Sequence, residues 1–399
     1  MKKHIILLTL FFLVWRVALF ALSYHADSFL PYHPSFPIYV GEFNTEVIPR
    51  WFYSWANFDG VHYTTIAVYG YIGTGLIQAF FPFFPFVILH TVYQFFPPFA
   101  PNAVFLGVIF SNLFAYLLIF LWFYFVAQLY DKKVAWAAVL MLFLFPTSFF
   151  FGAVYTESLF LLLVIGSFFA ARKKWWFLAS VLAMLATATR IVGIFVVPAL
   201  LIELWQQEHG PLKKMSVKKY QAELILFWRK KWQEILMILA GSFGLFAYMF
   251  FLTLEFHDPF YFFHIQSSFG GGRGSAMVLY PQVWFRYIKI LLTARPFDLK
   301  YYSYVQEFLF SIFGLVVIVY SFWKTRLSYA FFSLCAFLLP TFTGTFSSLP
   351  RYTIVSFSLF LCLAPLFAKK RRLFLCYLLF TTAVLILNTV LFIQGYWVA

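Results

Sequence analysis

The chain has 399 residues, of which 63% are hydrophobic, 24% aromatic and only 11% charged. Soluble globular domains carry about 25% charged residues, so this composition excludes an ordinary soluble domain. The formal net charge of +15 does not indicate nucleic-acid binding, because the basic residues cluster in short patches between apolar blocks.

The apolar residues fall into repeated blocks of about 15 to 24, a length that crosses the ~30 Å of hydrocarbon in a bilayer. Because lipid cannot satisfy backbone N–H and C=O groups, such blocks must be helices, and the alternation typical of a membrane β-barrel is absent. The predicted fold class is an all-α polytopic membrane protein, a single integral-membrane domain over residues 1–399.

The first apolar block begins after two lysines and carries Arg16 in its middle. It is longer than the apolar core of a usual signal peptide, so we expect an uncleaved first span. A charged residue at this depth either pairs within the bundle or reaches a lipid phosphate.

The segment 80–96, FFPFFPFVILHTVYQFF, contains Pro82 and Pro85 and stops at a further pair of prolines. If it spanned the membrane, every later basic loop would lie on the wrong side, so we expect it to lie in the interface or to re-enter from outside. The remaining blocks predict about 11 transmembrane helices, at 4–23, 103–130, 134–149, 157–171, 175–189, 191–205, 234–254, 306–323, 327–345, 352–368 and 373–394.

With the N-terminus in the cytoplasm, this topology places most of the 29 lysines and arginines inside. It leaves two outer segments, 24–102 and 255–305, and one basic inner loop, 206–232. The inner loop is predicted to be an amphipathic helix that rests on anionic lipid headgroups. The predicted location is the plasma membrane.

The first outer segment contains WANFDGVHYTTIAVYGY, residues 55–71. Asp59 and Gly60 form a typical turn pair, and a helix-like stretch follows them. Asp59 either caps that helix or acts as a general base just outside the membrane. Burial there would raise the pKa of its carboxyl group, and nearby cations would lower it.

Glu157 begins a span at its outer end, where the helix dipole favours a carboxylate. The helix break between Pro146 and Gly152 predicts the wall of an outward-facing cavity beside it. Asp59 and Glu157 are therefore the candidate catalytic pair.

Arg351 follows Pro350 in the first outer turn of another span. A cation there opposes the helix dipole, whereas an arginine beside a helix N-terminus suits a phosphate. We predict that Arg351 binds a phosphate or an acidic partner. Arg190 ends an outgoing helix, where the dipole favours a cation, and is a weaker candidate for the same role.

The second outer segment carries FHDPFYFFHIQSSFGGGRGS, residues 256–275. GGGRG lacks the spacing of a nucleotide-binding loop and is predicted to be a flexible lid. The spacing of the histidines, including His62, is not that of a metal site, so we predict hydrogen-bonding roles for them. No cofactor is predicted, and divalent-ion dependence is left open.

Several of these segments occur in the order found in one family: FDGVHYTTIAVYGY, FFPFFPFV, FPTSFFFGAVYTESLFLLL with LATATRIVG, HDPFYFFHIQ and LPRYTIVSFSLF. From about residue 50 to 360 the chain resembles the PIG-V-type mannosyltransferases (GPI mannosyltransferase 2-like) of the GT-C glycosyltransferase superfamily. It departs from them at Asn57 and Phe58, where the family usually shows a tryptophan before the acid. The composition is typical of a prokaryotic member, so the acceptor is open.

The resemblance implies a GT-C-type bundle whose large first outer loop carries juxtamembrane helices. It implies a polyprenyl-phosphate-mannose donor, an extracytoplasmic glycan or glycolipid acceptor, and inversion at the anomeric carbon. It also implies that Asp59 is the base, Glu157 a second acidic residue, Arg351 a ligand of the donor phosphate and Asp258 a loop contact. The other predicted substrate-binding residues are His62, Arg190, Trp55 and Tyr63. Aromatic rings such as Trp55 and Tyr63 either stack on sugars or anchor the protein at the interface.

A non-enzymatic transporter or flippase of lipid-linked sugars is the alternative. Such a protein predicts charged residues and broken helices near the middle of the membrane. In this chain only Arg16 lies clearly in mid-span, and the acidic residues gather at outer helix ends. This distribution favours an outward-facing enzyme.

Overall fold

The computed structural model describes residues 2–33, 48–71, 76–95, 102–210, 217–269, 273–274, 276–296 and 298–398. The glycine run 270–272 of the predicted lid and residues 211–216 of the inner basic loop lie outside these residues. Within the described ranges the regular elements are helices and no strand occurs. The α-helices in chain order are α1 (Lys2–His25), α2 (Arg50–Tyr53), α3 (Asp59–Tyr69), α4 (Thr91–Phe95), α5 (Ala103–Leu129), α6 (Lys132–Phe143), α7 (Glu157–Arg172), α8 (Trp176–Thr189), α9 (Val196–His209), α10 (Val217–Ala240), α11 (Phe243–Phe256), α12 (Tyr261–His264), α13 (Tyr280–Thr293), α14 (Leu299–Lys324), α15 (Leu327–Leu338), α16 (Leu349–Val355), α17 (Ser358–Lys369) and α18 (Arg371–Ile393).

Among the described residues, five helical segments are long and apolar enough to cross a membrane, and the number rises to seven if each of two bent helix pairs is one span. The straight segments are Lys2–Ser28, Ala103–Leu129, Ile191–His209, Leu299–Lys324 and Arg371–Ile393. The bent pairs are Glu223–Ala240 with Phe243–Phe256, at 45°, and Leu349–Val355 with Ser358–Lys369, at 72°. The chain is a polytopic helical membrane protein.

The eleven predicted spans are not confirmed. Four of them correspond to α6, α7, α8 and α15, which have 12, 16, 14 and 12 residues. A straight span needs about 20 residues, so these helices are too short to cross the hydrocarbon alone. The segment 80–96 contains a helical run at Phe83–Phe95, which is also below that length and packs on α3.

The centre of the bundle is α7, which packs against α5 and α8. A tight turn at Lys173–Trp175 reverses the chain, so α7 begins at the end of the bundle where α8 finishes. The Ser167 hydroxyl donates to the carbonyl of Ala179 at 2.7 Å and holds the two helices together. The buried, largely irregular stretch 144–156 leads into α7 and places Tyr155 at the end of the bundle where α7 begins.

Arg16 is 5% exposed and pairs within the bundle, one of the two alternatives for a cation in the first span. Its Nη2 donates to the carbonyl of Gly152 at 3.0 Å. Its guanidinium lies over the rings of Phe20 and Trp55, 3.8 and 4.1 Å from their centroids. Stacking on aromatic faces offsets part of the hydration free energy that a cation loses on leaving water.

Candidate active site

Four charged side chains from distant parts of the sequence meet at the end of the bundle where α7 begins. Arg351 donates from Nη1 to Oδ2 of Asp59 at 2.7 Å. Arg190 donates from Nη1 to Oε1 of Glu157, and the Nε of Arg351 lies 3.2 Å from the same oxygen without a hydrogen bond to it. Each arginine thus neutralises a carboxylate, and Glu157 lies between the two guanidinium groups.

The backbone before Asp59 holds an unusual conformation. Phe58 has φ +58° and ψ −118°, a region that bulky residues rarely occupy, and Asp59 then begins α3. Asn57 fixes the turn from both sides. Its backbone carbonyl accepts from the Tyr155 hydroxyl at 2.8 Å, and its side-chain amide donates to the backbone carbonyl of Phe392 at 2.7 Å. Such strain persists only where the surroundings enforce it, and it is common at functional sites.

Arg351 is positioned in a similar way. Ser348, three residues before it, has φ +67° in the left-handed region, and α16 follows directly. The Thr147 hydroxyl donates to the carbonyl of Pro350 at 3.1 Å and ties α16 to the stretch before α7. The Arg351 guanidinium lies 5.3 Å from the ring centroid of Tyr155 and 5.4 Å from that of Phe150.

A cavity of about 110 Å³ opens beside this cluster. Its charged lining groups are Asp59, Arg190, Arg273 and Arg351, and polar groups come from Tyr63, Thr189, Gln266 and Tyr352. Its apolar lining is formed by Ala79, Phe80, Phe81, Ile191, Phe262 and Phe269. The cavity therefore combines cations with aromatic walls.

The charges around the cavity favour an anion. The three arginines that line it outnumber the two carboxylates, Asp59 and Glu157, by one. Arg273 supplies the surplus charge, because Arg190 and Arg351 are already paired. Its Nη1 donates to Oε1 of Gln266 at 3.3 Å, a neutral partner. A phosphate group would meet a net positive charge here.

The two carboxylates differ in exposure. The Asp59 side chain keeps 19% of its surface accessible, whereas that of Glu157 keeps 1%. Burial acts to raise the pKa of the Asp59 carboxyl group, but the adjacent Arg351 guanidinium outweighs it and holds that pKa below the ordinary value. Asp59 is thus the ionised carboxylate that a bound molecule can reach.

His62 and Tyr63 follow Asp59 on α3. The His62 ring stacks on Phe80, with centroids 4.8 Å apart, so it lies behind a ring that lines the cavity. Burial lowers the pKa of His62, and the nearby Asp59 carboxylate opposes that effect. The Tyr63 hydroxyl lies 3.5 Å from Oγ1 of Thr156, and burial raises its pKa.

Two other sequence-predicted residues lie elsewhere. Trp55 is 0% exposed and packs beneath Arg16 in the core. Asp258 accepts from the backbone N–H of Phe260 at 2.9 Å and pairs with Nδ1 of His264 at 2.6 Å, and it does not line the cavity. Neither side chain lines the cavity in this structure. Their contacts with substrate remain predictions.

Sequence reasoning missed Arg273 as a site residue. The glycines around Arg273 predict a flexible lid, and the pattern does not show that this segment reaches the other arginines. A surplus cation in an outer segment rich in aromatic residues is the signal that indicates such a role. Sequence reasoning also missed Tyr352. Tyrosines are common at membrane edges, so a tyrosine beside Arg351 at an outer helix end is not distinctive.

The comparisons with known proteins give little further guidance. No family model and no curated protein matches the chain. Among solved structures, the chain is similar to an oligosaccharyltransferase of Archaeoglobus fulgidus that was crystallised with zinc and sulfate. The two share 11% identity at a TM-score of 0.43, over 95% of this chain and 53% of the other. The chain thus spans about half of that protein, and a likeness at this level assigns neither family nor activity.

Proposed function

We propose that this protein is a membrane glycosyltransferase of the GT-C type. It moves a sugar, with mannose as the first candidate, from a polyprenyl-phosphate-sugar donor to an extracytoplasmic glycan or glycolipid acceptor. The observation that supports this proposal is the cavity that a reachable carboxylate, Asp59, lines together with three arginines. The PIG-V-like motifs contribute most of the residues that meet there.

The arginines suit a lipid-linked phosphate. The donor carries one phosphodiester charge, and guanidinium groups bind phosphate oxygens through paired N–H donors. Arg273 draws the phosphate in, and Arg351 and Arg190 stabilise the charge that develops as the bond to the sugar breaks. Glu157 is buried between the latter two and acts as a positioning residue that fixes their guanidinium groups.

The reaction then needs one base and no general acid, because a polyprenyl phosphate is already a good leaving group. The acceptor hydroxyl oxygen attacks the anomeric carbon from the face opposite the phosphate, the bond to the phosphate oxygen breaks, and Asp59 takes the hydroxyl proton. One displacement of this kind inverts the anomeric centre. A positioned base of this type contributes about 10²–10⁴-fold to the rate.

The ion pair between Asp59 and Arg351 fits a resting state. An arriving phosphate competes for Arg351, and a carboxylate that loses this partner becomes a stronger base because burial then dominates its pKa. Donor binding therefore prepares the base for the acceptor.

A donor panel in proteoliposomes tests this function. The purified protein is given radiolabelled polyprenyl-phosphate-mannose, polyprenyl-phosphate-glucose or a nucleotide sugar, each with a membrane extract as acceptor source. We expect label to be transferred from a polyprenyl-phosphate sugar and not from the nucleotide sugar. The transferred label should appear in a glycan or glycolipid. If every labelled sugar stays on its lipid while that lipid crosses the bilayer, the protein is a transporter and the proposal is wrong.

A further inference from the structure

The opposite end of the bundle contains a second cavity, of about 390 Å³, which the proposed reaction does not use. Its charged lining residues are Arg172, Lys324 and Arg326, and the others are Leu129, Tyr130, Gln206, Gly210, Thr325, Tyr329 and Leu361. Glu157 and Arg172 are the two ends of α7, so this cationic cavity lies about 22 Å along the helix from the candidate active site.

The floor of the cationic cavity holds a polar group without a partner. Tyr329 is 1% exposed, and its hydroxyl makes no hydrogen bond within the described part of the chain. The ring is packed between Phe125, Phe168 and Phe357, at centroid distances of 5.7, 5.1 and 5.6 Å, so the hydroxyl has little freedom to turn elsewhere. A buried hydroxyl left unsatisfied is costly, and a ligand in the cavity would satisfy it.

Arg326 presents a second unused donor. Its Nε donates to Oε2 of Glu203 at 2.8 Å, while its buried Nη2 has no hydrogen-bond partner among the described residues. Glu203 is itself fully engaged, since it also accepts from Ser328 at 2.7 Å and from Gln207 at 3.0 Å. The Arg326 side chain nevertheless keeps 28% of its surface accessible, so an anion in the cavity can reach its guanidinium group.

The charge of the cavity points in the same direction. Three cations line it, and Glu203 is the carboxylate paired there, which leaves a surplus of two positive charges. Arg172 and Lys324 stand at the ends of α7 and α14, where the helix dipole favours cations without any ligand. The dipole does not explain why they border a cavity with two unused buried donors.

We propose that the cationic cavity is a binding site for a phosphate-bearing anion. The sources of such a group are the headgroup of an anionic phospholipid in the adjacent leaflet and a free phosphate compound. Tyr329 and Arg326 donate to the phosphate from the floor, and Arg172 and Lys324 neutralise it from the rim. An anion bound in the cationic cavity stabilises the end of the bundle where α5, α7, α9 and α14 finish and α15 begins.

Binding measurements on the full-length protein test the site. The probes are phosphatidylglycerol, phosphatidylcholine and inorganic phosphate, each titrated into purified protein while affinity and melting temperature are recorded. The variants are Tyr329→Phe and the pair Arg172→Gln with Lys324→Gln. The matched control is the pair Arg371→Gln with Arg372→Gln, which removes the same charge from exposed cations outside the cavity.

Without a probe, we expect Tyr329→Phe to leave the melting temperature unchanged or to raise it, because it removes a buried hydroxyl that has no partner. The same change should weaken binding of an anionic probe about threefold or more, and the Arg172 and Lys324 pair should weaken it about tenfold or more. Phosphatidylglycerol binding alone assigns a lipid, and binding of inorganic phosphate alone assigns a soluble phosphate compound. If both cavity variants bind every anionic probe as tightly as the control pair does, no such site exists.

Discussion

Asp59 is held ionised by Arg351, and this pairing sets how the reaction depends on pH. The folded-state pKa of Asp59 lies below its ordinary value of about 3.9. A depressed pKa stabilises the fold above the unfolded-state value, and that stabilisation is lost as the pH falls through the folded-state pKa. The carboxylate is therefore ready to accept a proton throughout the neutral range.

We expect kcat/KM, which reports the free enzyme, to show no acidic limb from pH 8 down to about pH 5. The acidic limb of kcat should lie at higher pH than that of kcat/KM, because bound donor phosphate competes for Arg351. Initial rates in proteoliposomes across this range provide both profiles. An acidic limb of kcat/KM centred near pH 6 or above would show that Arg351 does not control the base in the free enzyme.

Replacing Arg273 measures how much the surplus cation contributes to donor binding. Arg273→Gln should raise the donor KM about tenfold or more, since a hydrogen bond to a charged group contributes about 1.5–3 kcal/mol. The acceptor KM and the melting temperature should change little, because no carboxylate in the described residues is paired with Arg273. Lys289→Gln, an exposed cation in the same outer segment, is the control. Equal rises in donor and acceptor KM would argue against a phosphate contact.

At the residue scale, the sequence singled out three charged residues that the structure brings together, and it was silent about their pairing. Asp59, Glu157 and Arg351 stand out because charges are rare in this chain and these lie at predicted outer helix ends. The partners of each ion pair are separated by 33 residues for Glu157 and Arg190 and by 292 for Asp59 and Arg351. No local pattern relates positions so far apart, and the pairing follows only from how the helices pack.

Among the elements, α8 and α11 approach closely at a glycine. A Cβ added at Gly244 would lie 2.0 Å from the carbonyl oxygen of Met184 and 2.8 Å from the backbone nitrogen of Ala188. These are backbone atoms, so the helices would have to separate. Because α8 ends at Thr189, directly before Arg190, a displacement here reaches the candidate active site.

Gly244→Ala should therefore destabilise the protein by about 1–3 kcal/mol, the usual cost of overpacking, and lower the rate of sugar transfer. Gly166→Ala is the control, since its nearest neighbour is the flexible end of Leu182, at 3.2 Å. Thermal unfolding in detergent compares the two. Equal melting temperatures for Gly244→Ala and the wild type would show that α8 and α11 do not depend on this contact.

The helices also show where a span prediction based on apolar blocks loses accuracy. The sequence predicted spans at 134–149 and 157–171 with a helix break between Pro146 and Gly152, but it did not show that the helix already ends at Phe143 and that the irregular stretch runs from 144 to 156. Since buried neighbours satisfy the backbone of that stretch, it can lie at membrane depth without forming a span. Apolar content thus reports burial in protein as well as burial in lipid.

For the whole molecule, the distribution of charge predicts that the candidate active site faces the exterior. A cysteine at Ser267, beside the cavity, should react with a membrane-impermeant maleimide on intact cells. A cysteine at Lys173, at the other end of α7, should react only after permeabilisation. Both side chains are exposed, and Cys335, Cys362 and Cys376 are first replaced by serine. The reverse labelling pattern would invert the topology and place the site in the cytoplasm.

The measurement that tests the central claim most directly is the rate of sugar transfer with Asp59→Asn. Asp298→Asn is the matched control, because it alters an exposed aspartate of the second outer segment that does not line the cavity. We expect Asp59→Asn to lower the rate about 10²–10⁴-fold with donor binding retained, and Asp298→Asn to keep a rate close to that of the wild type. A rate for Asp59→Asn equal to that of Asp298→Asn would contradict the assignment of Asp59 as the base.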